Sequence, residues 1–438
     1  MFEFLKKSVV YLLVLEARAV LSRYRPSIIA ITGSVGKTTT KDAIYAAISG
    51  HVYARRAVKS YNGELGVALT ILGLENAWTN PLGWMYNILM GLVLLARKRK
   101  YPQWLVIEVG ADRPGDIKRI AKWLRPDIAV FTGISDIPAH IEFFDSPEHV
   151  LKEKRALADN LKAGGRLILN GDDTYTQRLR SEFRGATVTY GYAPENDFFA
   201  SHEQILYDVS RPATDGIRKP GGIQFRANHG GSSIPVVIAG ALGVPRVYAS
   251  LAAIAVAEEV GIDGVTAAQA LTKWVPPPGR VRILDGMKGT VIIDDTYNSS
   301  PAAALAALDT LKSVDAKRRI AVIGDMLELG KYTKDAHRKV GERAAQCADK
   351  LITVGIRARQ VADAALDAGL RDENILQYDT GEAERAADEL ALDMREGDVV
   401  LVKGSQSMRL ERLVRGIMAE PLRAAELLVR TDPEWEVR

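Results

Sequence analysis

A glycine-rich segment, ITGSVGKTTT at 31–40, follows a short apolar run and precedes a helical pattern. Gly33 and Gly36 allow backbone N–H groups to turn toward an anion, and the N-terminus of the next helix adds partial positive charge. Lys37 can reach terminal phosphates, and Thr38 can bind Mg²⁺. The first glycine comes two positions later than in the common G-x-x-x-x-G-K-[ST] loop. The segment therefore predicts a nucleotide-binding phosphate loop of short spacing.

Three further residues of the first half could take part in phosphate or metal chemistry. Glu108 ends the apolar strand Trp104 to Val109, where parallel sheets bind ligands, so its carboxylate could hold Mg²⁺ or simply face solvent. His140 follows another apolar strand, and Lys154 lies in a predicted helix. Alone, the histidine is typical of a structural residue and the lysine of a solvated one.

The second half repeats the pattern of polar residues at strand ends. The segment DDTYNSSP at 294–301 joins two acids and an asparagine to a proline that can start a helix. GDMLELG at 324–330 and Lys403-Gly404-Ser405 end later strands in the same way. Because both halves place polar residues at strand ends, we expect a cleft between two domains to hold the chemistry.

Strands alternate with helices along the chain, which predicts an α/β fold with mostly parallel sheets. A central ATP-binding domain with a phosphate loop is predicted at 27–283, with strands at Ser27 to Thr32, Trp104 to Val109, Ile128 to Ile134 and Arg166 to Asn170. Short alternating stretches from Ala186 to Val237 indicate an antiparallel patch. Three prolines at 276–278 break the chain, and a Rossmann-like C-terminal α/β domain is predicted at 284–438.

Composition excludes several functional classes. The apolar content of 47% and charged content of 26% are typical of globular proteins, and a net charge of +4 over 438 residues indicates no nucleic-acid surface. Cys347 is the only cysteine, so an intrachain disulfide is excluded and a reducing cytoplasm is expected. We expect a monomer.

Two apolar segments fall short of the roughly 20 residues that a membrane-spanning helix needs. One is an N-terminal helix at 1–26, and the other is an insert at 80–100 that ends in Arg97-Lys98-Arg99-Lys100. The insert fits a helix that lies in a membrane interface, and it fits equally a helix buried against its neighbours. Peripheral contact with the inner membrane surface is therefore one of two predictions for both segments.

Taken together, the motifs resemble those of the Mur ligases, the ATP-dependent enzymes that form amide bonds in peptidoglycan synthesis. TGSVGKTT at 32–39 matches the family's phosphate loop, and the resemblance runs from about residue 28 to the C-terminus. The other matching segments are Ser60-Tyr61-Asn62 with Gly66-Val67, Glu108-Val109-Gly110-Ala111, Ala139-His140, Gly279-Arg280, Asp294 to Asn298 with Pro301, Gly324 to Gly330, and Lys403-Gly404-Ser405. DDTYNSSP and GDMLELG are most similar to the members that add D-alanyl-D-alanine to a UDP-N-acetylmuramoyl-tripeptide.

The resemblance implies a reaction and a set of site residues. ATP would phosphorylate a carboxylate of the acceptor, a peptidoglycan precursor, and the amine of D-alanyl-D-alanine would attack the acyl phosphate with release of ADP. Catalysis would depend on Lys37, Glu108, His140 and Lys154. Mg²⁺ would be bound by Thr38, Glu108, His140 and Lys154, the last matching a lysine that is carbamylated in several members. The nucleotide would contact Gly33, Ser34, Val35, Gly36, Lys37, Thr38, Thr39, Arg280 and Asp295, and the substrates Asn62, Asn298, Glu328 and Lys403.

The chain departs from the family in two places. Only about 26 residues precede the first strand, where the family carries a domain that binds the uridine nucleotide, so we expect that domain to be missing or replaced. The family's adenine-contacting G-x-H-N-x-x-N reads GVPRVYA at 243–249. Two alternatives stay open, a related ligase that uses another amine and a nucleotide-binding scaffold without catalysis. The D-alanyl-D-alanine motifs argue against the first. The second is disfavoured because all the expected metal and acyl-phosphate residues are present, namely Lys37, Thr38, Glu108, His140 and Lys154.

Overall fold

The computed structural model describes residues 2–138, 140–208, 217–432 and 435, with side chains from residue 7 onward. Met1, Ala139 of the predicted Ala139-His140 motif, and residues 209–216 of the predicted antiparallel patch lie outside this range. Two sheets organise the described residues, one of nine strands and one of six. The mixed α/β architecture predicted from the sequence is confirmed.

The nine-stranded sheet has the order β2-β3-β1-β4-β5-β6-β7-β8-β9. Its strands are β1 Ser27–Thr32, β2 Ala54–Arg56, β3 Trp104–Glu108, β4 Ile128–Phe131, β5 Arg166–Asn170, β6 Ala186–Gly191, β7 Phe198–Tyr207, β8 Pro220–His229 and β9 Ser232–Ala239. The central strands are buried along almost their whole length, as expected for parallel strands covered on both faces. Their parallel registers bring the ends of β1, β3 and β4 to one edge of the sheet.

The six-stranded sheet has the order β10-β11-β15-β12-β13-β14. Its strands are β10 Arg282–Asp285, β11 Val291–Asp295, β12 Arg318–Gly324, β13 Lys350–Val354, β14 Ile375–Tyr378 and β15 Asp398–Lys403. All pairs are parallel except β10 with β11, which are antiparallel. The parallel strands of this sheet therefore also end together at one edge. That edge carries the polar motifs of the second half.

The helices cover these sheets and fill the connections between strands. They are α1 Phe2–Tyr24, α2 Lys37–Ile48, α3 Glu64–Leu72, α4 Pro81–Ala96, α5 Asp116–Leu124, α6 Pro147–Asp159, α7 Thr174–Glu182, α8 Val244–Val260, α9 Gly264–Leu271, α10 Pro301–Ser313, α11 Thr333–Cys347, α12 Arg359–Asp367, α13 Ala383–Asp393, α14 Glu411–Ile417 and α15 Ala424–Leu427. In the part of the chain that the structure describes, no helix combines the length and apolarity needed to cross a membrane.

Two local predictions differ from the structure. The patch from Ala186 to Val237 is antiparallel only from β7 onward, because β6 pairs in parallel with β5. The helix α7 lies between β5 and β6 and carries the chain back, so that β6 begins at the same edge of the sheet as β5. The two strands therefore run in parallel. The strands β2 and β10 were not predicted, since they have only three and four residues and show no period. The domain bounds at 27–283 and 284–438 stay predictions.

Candidate active site

The phosphate loop connects the end of β1 to the start of α2. Gly33 has φ +149° and Gly36 has φ +84°, both in the region that glycine adopts most readily. A Cβ at Gly33 would lie 2.0 Å from Oγ1 of Thr132, so a larger residue would clash as well. The Thr132 hydroxyl donates to the carbonyl of Val35 at 2.6 Å, and Ser34 N–H donates to the carbonyl of Gly133 at 2.8 Å. The residues after β4 thus hold the loop in shape.

Two lysines, the half-buried Lys37 and the buried Lys154, donate to one carbonyl of this loop. Nζ of Lys37 and Nζ of Lys154, which is carried by α6, each lie 3.0 Å from the carbonyl oxygen of Gly33. Among the described residues, neither ammonium group forms a salt bridge with a carboxylate. Burial lowers the pKa of Lys154 to about 7, with the nearby Lys37 charge adding to the effect, and burial also lowers the pKa of Lys37. Two amine groups directed at one carbonyl, without carboxylate partners, are an arrangement that fits an anion.

Glu108 gathers hydrogen bonds from three neutral side chains beside the loop. It is buried at the end of β3, where the register pairs it with Ile31 of β1. Its carboxylate accepts from Oγ1 of Thr38 at 2.9 Å, from Oγ of Ser60 at 3.1 Å and from Nδ2 of Asn62 at 3.4 Å. No lysine or arginine of the described residues forms a salt bridge with Glu108. Carboxylate and hydroxyl oxygens are the ligands that Mg²⁺ prefers, so Glu108, Thr38 and Ser60 fit that ion.

Arg280 reaches this cluster from the junction between the two sheets. Its Nη2 donates to Oγ1 of Thr38 at 3.2 Å, and its guanidinium lies 3.9 Å from the centre of the Tyr297 ring. The junction is itself hydrogen bonded, because Tyr297 N–H donates to the carbonyl of Gly279 and Gly279 N–H donates to Asp294. The predicted nucleotide contact from the second half is therefore in position beside the phosphate loop.

At the edge of the six-stranded sheet, a buried lysine and a buried aspartate neutralise each other. Nζ of Lys403 lies 2.6 Å from Asp295 and 2.9 Å from the carbonyl of Asn298, and both charged side chains are buried. The register of β11 with β15 places Asp295 directly opposite Lys403. One cleft joins this edge to the phosphate loop, and its lining includes Val35, Gly36, Thr39, Arg246, Arg280, Asp295, Asn298 and Lys403. A separate cleft beside α7 is lined by none of the predicted site residues.

His140 and Glu328 form a separate contact between the two halves of the chain. Nδ1 of His140 lies 2.5 Å from the Glu328 carboxylate, and Nε2 lies 3.9 Å from Asp112. The His140 side chain lowers the pKa of Glu328. Within the described ranges, no group of three or more His, Cys, Asp or Glu side chains is arranged to hold a metal ion. The structure therefore places His140 with Glu328 and does not join it to the Thr38 and Glu108 cluster.

Several residues of the site were not predicted individually from the sequence. Ser60 contacts both carboxylate oxygens of Glu108, and its only signal was the matching segment that also contains Asn62. Thr132 had no signal, since a threonine after a strand is common. Arg246 is buried with a pKa lowered to about 9 by burial, and it donates to the carbonyl of Arg280. Only its position in the departing segment GVPRVYA had drawn attention to it.

Comparisons with known proteins identify the two halves of the chain. A family model described as the Mur ligase middle domain matches residues 31–257, which is more than half of the chain. A second model, described as the Mur ligase, glutamate ligase domain, matches residues 279–406. The two matches cover the phosphate loop, the Glu108 cluster and the strand ends of the second sheet.

Similar proteins span most of the chain. The UDP-N-acetylmuramoyl-tripeptide–D-alanyl-D-alanine ligase of Bacillus subtilis (strain 168) is 28% identical over 408 residues, covering 93% of this chain and 79% of the relative. The ligase of the same name from Synechocystis sp. is 29% identical over 402 residues, covering 91% and 76%. The MurF ligase of Thermotoga maritima, solved in complex with ADP, shares the fold with a TM-score of 0.74 at 24% identity, covering 93% of this chain and 83% of that one. The chain belongs to the Mur ligase family.

Proposed function

We propose that this Mur ligase adds D-alanyl-D-alanine to a UDP-N-acetylmuramoyl-tripeptide-like acceptor, with ATP converted to ADP and phosphate. The observation that carries the proposal is the set of unpaired charges at the phosphate loop. Lys37 and Lys154 share one carbonyl, and Glu108 accepts only from neutral groups. Burying charges without partners is unfavourable, so such an arrangement fits a site whose partners are Mg²⁺ and a triphosphate. The names of the similar ligases support the choice of substrates.

The first step transfers the terminal phosphoryl group of ATP to the acceptor carboxylate. A carboxylate oxygen forms the new P–O bond while the bond to the β-phosphate oxygen breaks, which yields an acyl phosphate and ADP. Lys37 would contact the β- and γ-phosphates, with Gly33, Ser34, Val35, Gly36 and Thr39 supplying backbone contacts. Arg280 and Asp295 would contact the nucleotide from the junction. In such a reaction the protein mainly positions groups and neutralises developing charge.

The second step forms the amide bond. The amine of D-alanyl-D-alanine attacks the acyl carbon, the C–O bond to phosphate breaks, and phosphate leaves as the nitrogen loses a proton. Asn62 would contact the acceptor from the first half, while Asn298, Glu328 and Lys403 would contact the substrates from the second sheet. Because water would hydrolyse the acyl phosphate, closure of the cleft between the two sheets would protect the intermediate.

Mg²⁺ would be held by Thr38 and Glu108, with Ser60 as an additional oxygen donor in contact with both. When bound, the ion would offset negative charge on the phosphates. The participation of His140 and Lys154 in metal binding stays a proposal. Lys154 would first have to react with CO₂ to become a carbamate, and its lowered pKa provides the neutral amine that this reaction needs. His140 would have to leave Glu328.

The setting of the reaction also stays a prediction. We expect a cytoplasmic monomer that takes its acceptor from peptidoglycan synthesis, and contact with the inner membrane surface stays one of two predictions for its apolar helices. A related ligase that uses another amine remains the nearest alternative. A scaffold without catalysis is disfavoured, because Thr38, Glu108 and Lys37 retain a connected geometry around the loop.

An amine screen tests the proposal. The purified chain is incubated with ATP, Mg²⁺, the UDP-N-acetylmuramoyl-tripeptide and one amine at a time, and products are identified by mass spectrometry. We expect an amide product with D-alanyl-D-alanine and little or none with L-alanyl-L-alanine, D-glutamate or ammonia. A product with one of the other amines would favour the related ligase. ADP release that does not depend on any amine or acceptor would contradict the proposal.

A further inference from the structure

The helix α4 presents an apolar face to solvent. Its 16 residues, PLGWMYNILMGLVLLA, include no charged side chain, and only Asn87 and Gly91 are buried. The exposed fractions of the outward side chains are 69% for Leu82, 55% for Met85, 58% for Tyr86, 53% for Leu89 and 51% for Leu92. At about 100° per residue these five side chains fall within an arc of roughly 120° on the face opposite Gly91. A surface helix normally carries polar residues on its exposed face, but the exposed face of α4 is apolar.

The helix α1 carries a second group of exposed apolar side chains. It packs against α4, where Gly91 lies so close to Glu16 that a Cβ would be 2.0 Å from the Glu16 carboxylate. Its own exposed apolar side chains are Tyr11, Leu12 and Leu15. Eight of the 19 large hydrophobic side chains that are exposed in the described part of the chain lie on these two helices. We call the eight side chains, Tyr11, Leu12, Leu15, Leu82, Met85, Tyr86, Leu89 and Leu92, the apolar face.

Basic side chains gather at one end of the helix pair. The hydroxyl of Tyr24, near the end of α1, donates to the carbonyl of Leu94 at 3.0 Å and accepts from the N–H of Arg99 at 3.2 Å. The two helices therefore end side by side. Six exposed cations lie in this region, namely Arg23, Arg25, Arg97, Lys98, Arg99 and Lys100, and no carboxylate of the described residues forms a salt bridge with any of them.

We propose that the apolar face and the adjoining basic cluster bind the surface of an anionic lipid bilayer. The two features have the chemistry of the bilayer interface, since apolar side chains enter the acyl boundary while arginine and lysine contact phosphate headgroups. A protein partner of ordinary surface would leave the six cations without compensating charge. Neither helix is long and apolar enough to span the bilayer, so the pair would lie in the plane of the interface. The inference does not rest on the proposed reaction, because the surface is built from residues outside the site.

Vesicle flotation with the full chain tests the inference. The vesicles are phosphatidylcholine alone or phosphatidylcholine with 30 to 40% phosphatidylglycerol, a composition of roughly the charge that attracts polybasic segments. We expect the chain to float with the anionic vesicles, and the bound fraction to fall by about 10-fold or more in the double variant Met85→Glu and Leu89→Glu. Lys98→Glu with Arg99→Glu should reduce binding to anionic vesicles and make the remaining binding less sensitive to salt, because four of the six cations are left.

A matched control separates the apolar face from general hydrophobicity. Leu392, on α13, is 83% exposed, so Leu392→Glu removes an equally accessible apolar side chain elsewhere and should leave flotation unchanged. Release of ADP with soluble substrates should be unaltered in the Met85 and Leu89 variant, which shows that the variant is folded. No binding to anionic vesicles by the unaltered chain would overturn the inference. An equal loss of vesicle binding in Leu392→Glu would overturn it as well. So would a chain that binds no lipid but forms a dimer in sedimentation that Leu89→Glu dissociates.

Discussion

The two sheet edges that face the cleft handle charge in opposite ways. At the edge of the nine-stranded sheet, Glu108 accepts from neutral donors, and Lys37 and Lys154 share a carbonyl. At the edge of the six-stranded sheet, Lys403 already lies 2.6 Å from Asp295. Both edges arise in the same manner, from parallel strands that end together. At the first edge the charges therefore gain partners only from a ligand, while at the second edge Lys403 and Asp295 are already paired before a ligand contacts them.

This difference predicts which substitutions should lower the stability of the ligand-free chain and which should leave it nearly unchanged. Removing one partner of a buried ion pair leaves the other charge uncompensated, and the folded state is destabilised. Removing a charge that has no partner relieves a desolvation penalty, and only the ligand loses a contact. The following changes test the distinction, in order of decreasing expected effect.

Lys37→Ala should abolish turnover while leaving the fold intact. The variant removes the cation nearest the predicted terminal phosphates, and a positioned charge of this kind contributes about 10²- to 10³-fold to the rate. ADP release under saturating ATP measures the loss, and thermal unfolding followed by circular dichroism serves as the control for folding. Activity above a tenth of the original rate would show that the loop lysine is not a phosphate contact.

Asp295→Asn should destabilise the chain, in contrast to Glu108→Gln. The first variant leaves the buried Lys403 ammonium without a carboxylate, which costs about 3 to 5 kcal/mol of unfolding free energy. The second removes a carboxylate that has no cation partner, so its unfolding free energy should change by less than about 1 kcal/mol while activity falls. Urea denaturation of both variants provides the comparison. Equal destabilisation would remove the distinction between the two edges.

Glu16 is a third kind of buried carboxylate, because no cation among the described residues forms a salt bridge with it and its Oε2 accepts no hydrogen bond from them. Burial between α1 and α4 raises its pKa to about 7 from the ordinary 4.5, so the folded state favours the proton. Stability should fall as pH rises from about 4.5 to 7 and then level off. Glu16→Gln should remove this dependence and raise the unfolding free energy at pH 8 by about 2 kcal/mol relative to the unaltered chain.

Urea denaturation at pH 5 and pH 8 measures this difference. The control is Glu64→Gln, because Glu64 lies at the start of α3 and is not buried. An unaltered chain with the same stability at both pH values would show that the Glu16 carboxylate is solvated in solution.

Lys154 should become reactive toward CO₂ in the range where its amine loses the proton. With a pKa of about 7, the neutral fraction rises from about a tenth at pH 6 to about nine tenths at pH 8. A carbamate signal in ¹³C NMR with labelled bicarbonate should grow over the same interval and be absent in Lys154→Arg. A signal of equal size at both pH values, or one that persists in the variant, would contradict the assignment.

Much of the fold followed from the sequence because hydrophobic patterns act over short distances. The strands Ser27–Thr32 and Arg166–Asn170 agree with prediction at both ends, and the helix Pro81–Ala96 lies within the predicted insert at 80–100. Their limits coincide with glycine, proline or polar residues that stop regular structure. The strand Arg282–Asp285 was missed, since four residues are too few to show a period, and the pairing of Ala186–Gly191 depends on the partner that the sheet provides.

The site was predicted unevenly for the same reason. The phosphate loop is a local motif, so Gly33, Gly36, Lys37 and Thr38 could be named from the chain alone. The contribution of Ser60 to the Glu108 cluster is a contact across 48 positions, and the link from Arg280 to Thr38 spans 242. Contacts of this separation depend on strand register and helix packing, which the residues at either end do not encode by themselves.

The sequence by itself determined the α/β class, the short phosphate loop and the family, because each depends on residues that lie near one another or on ordered motifs. Only the tertiary structure decided how the charges are paired. It placed Lys154 with Lys37 at the Gly33 carbonyl, Lys403 with Asp295, and His140 with Glu328. It also left the apolar side of α4 uncovered. Pairing and exposure are properties of folded surfaces, and a charge acquires a partner, or lacks one, only when distant segments of the chain meet.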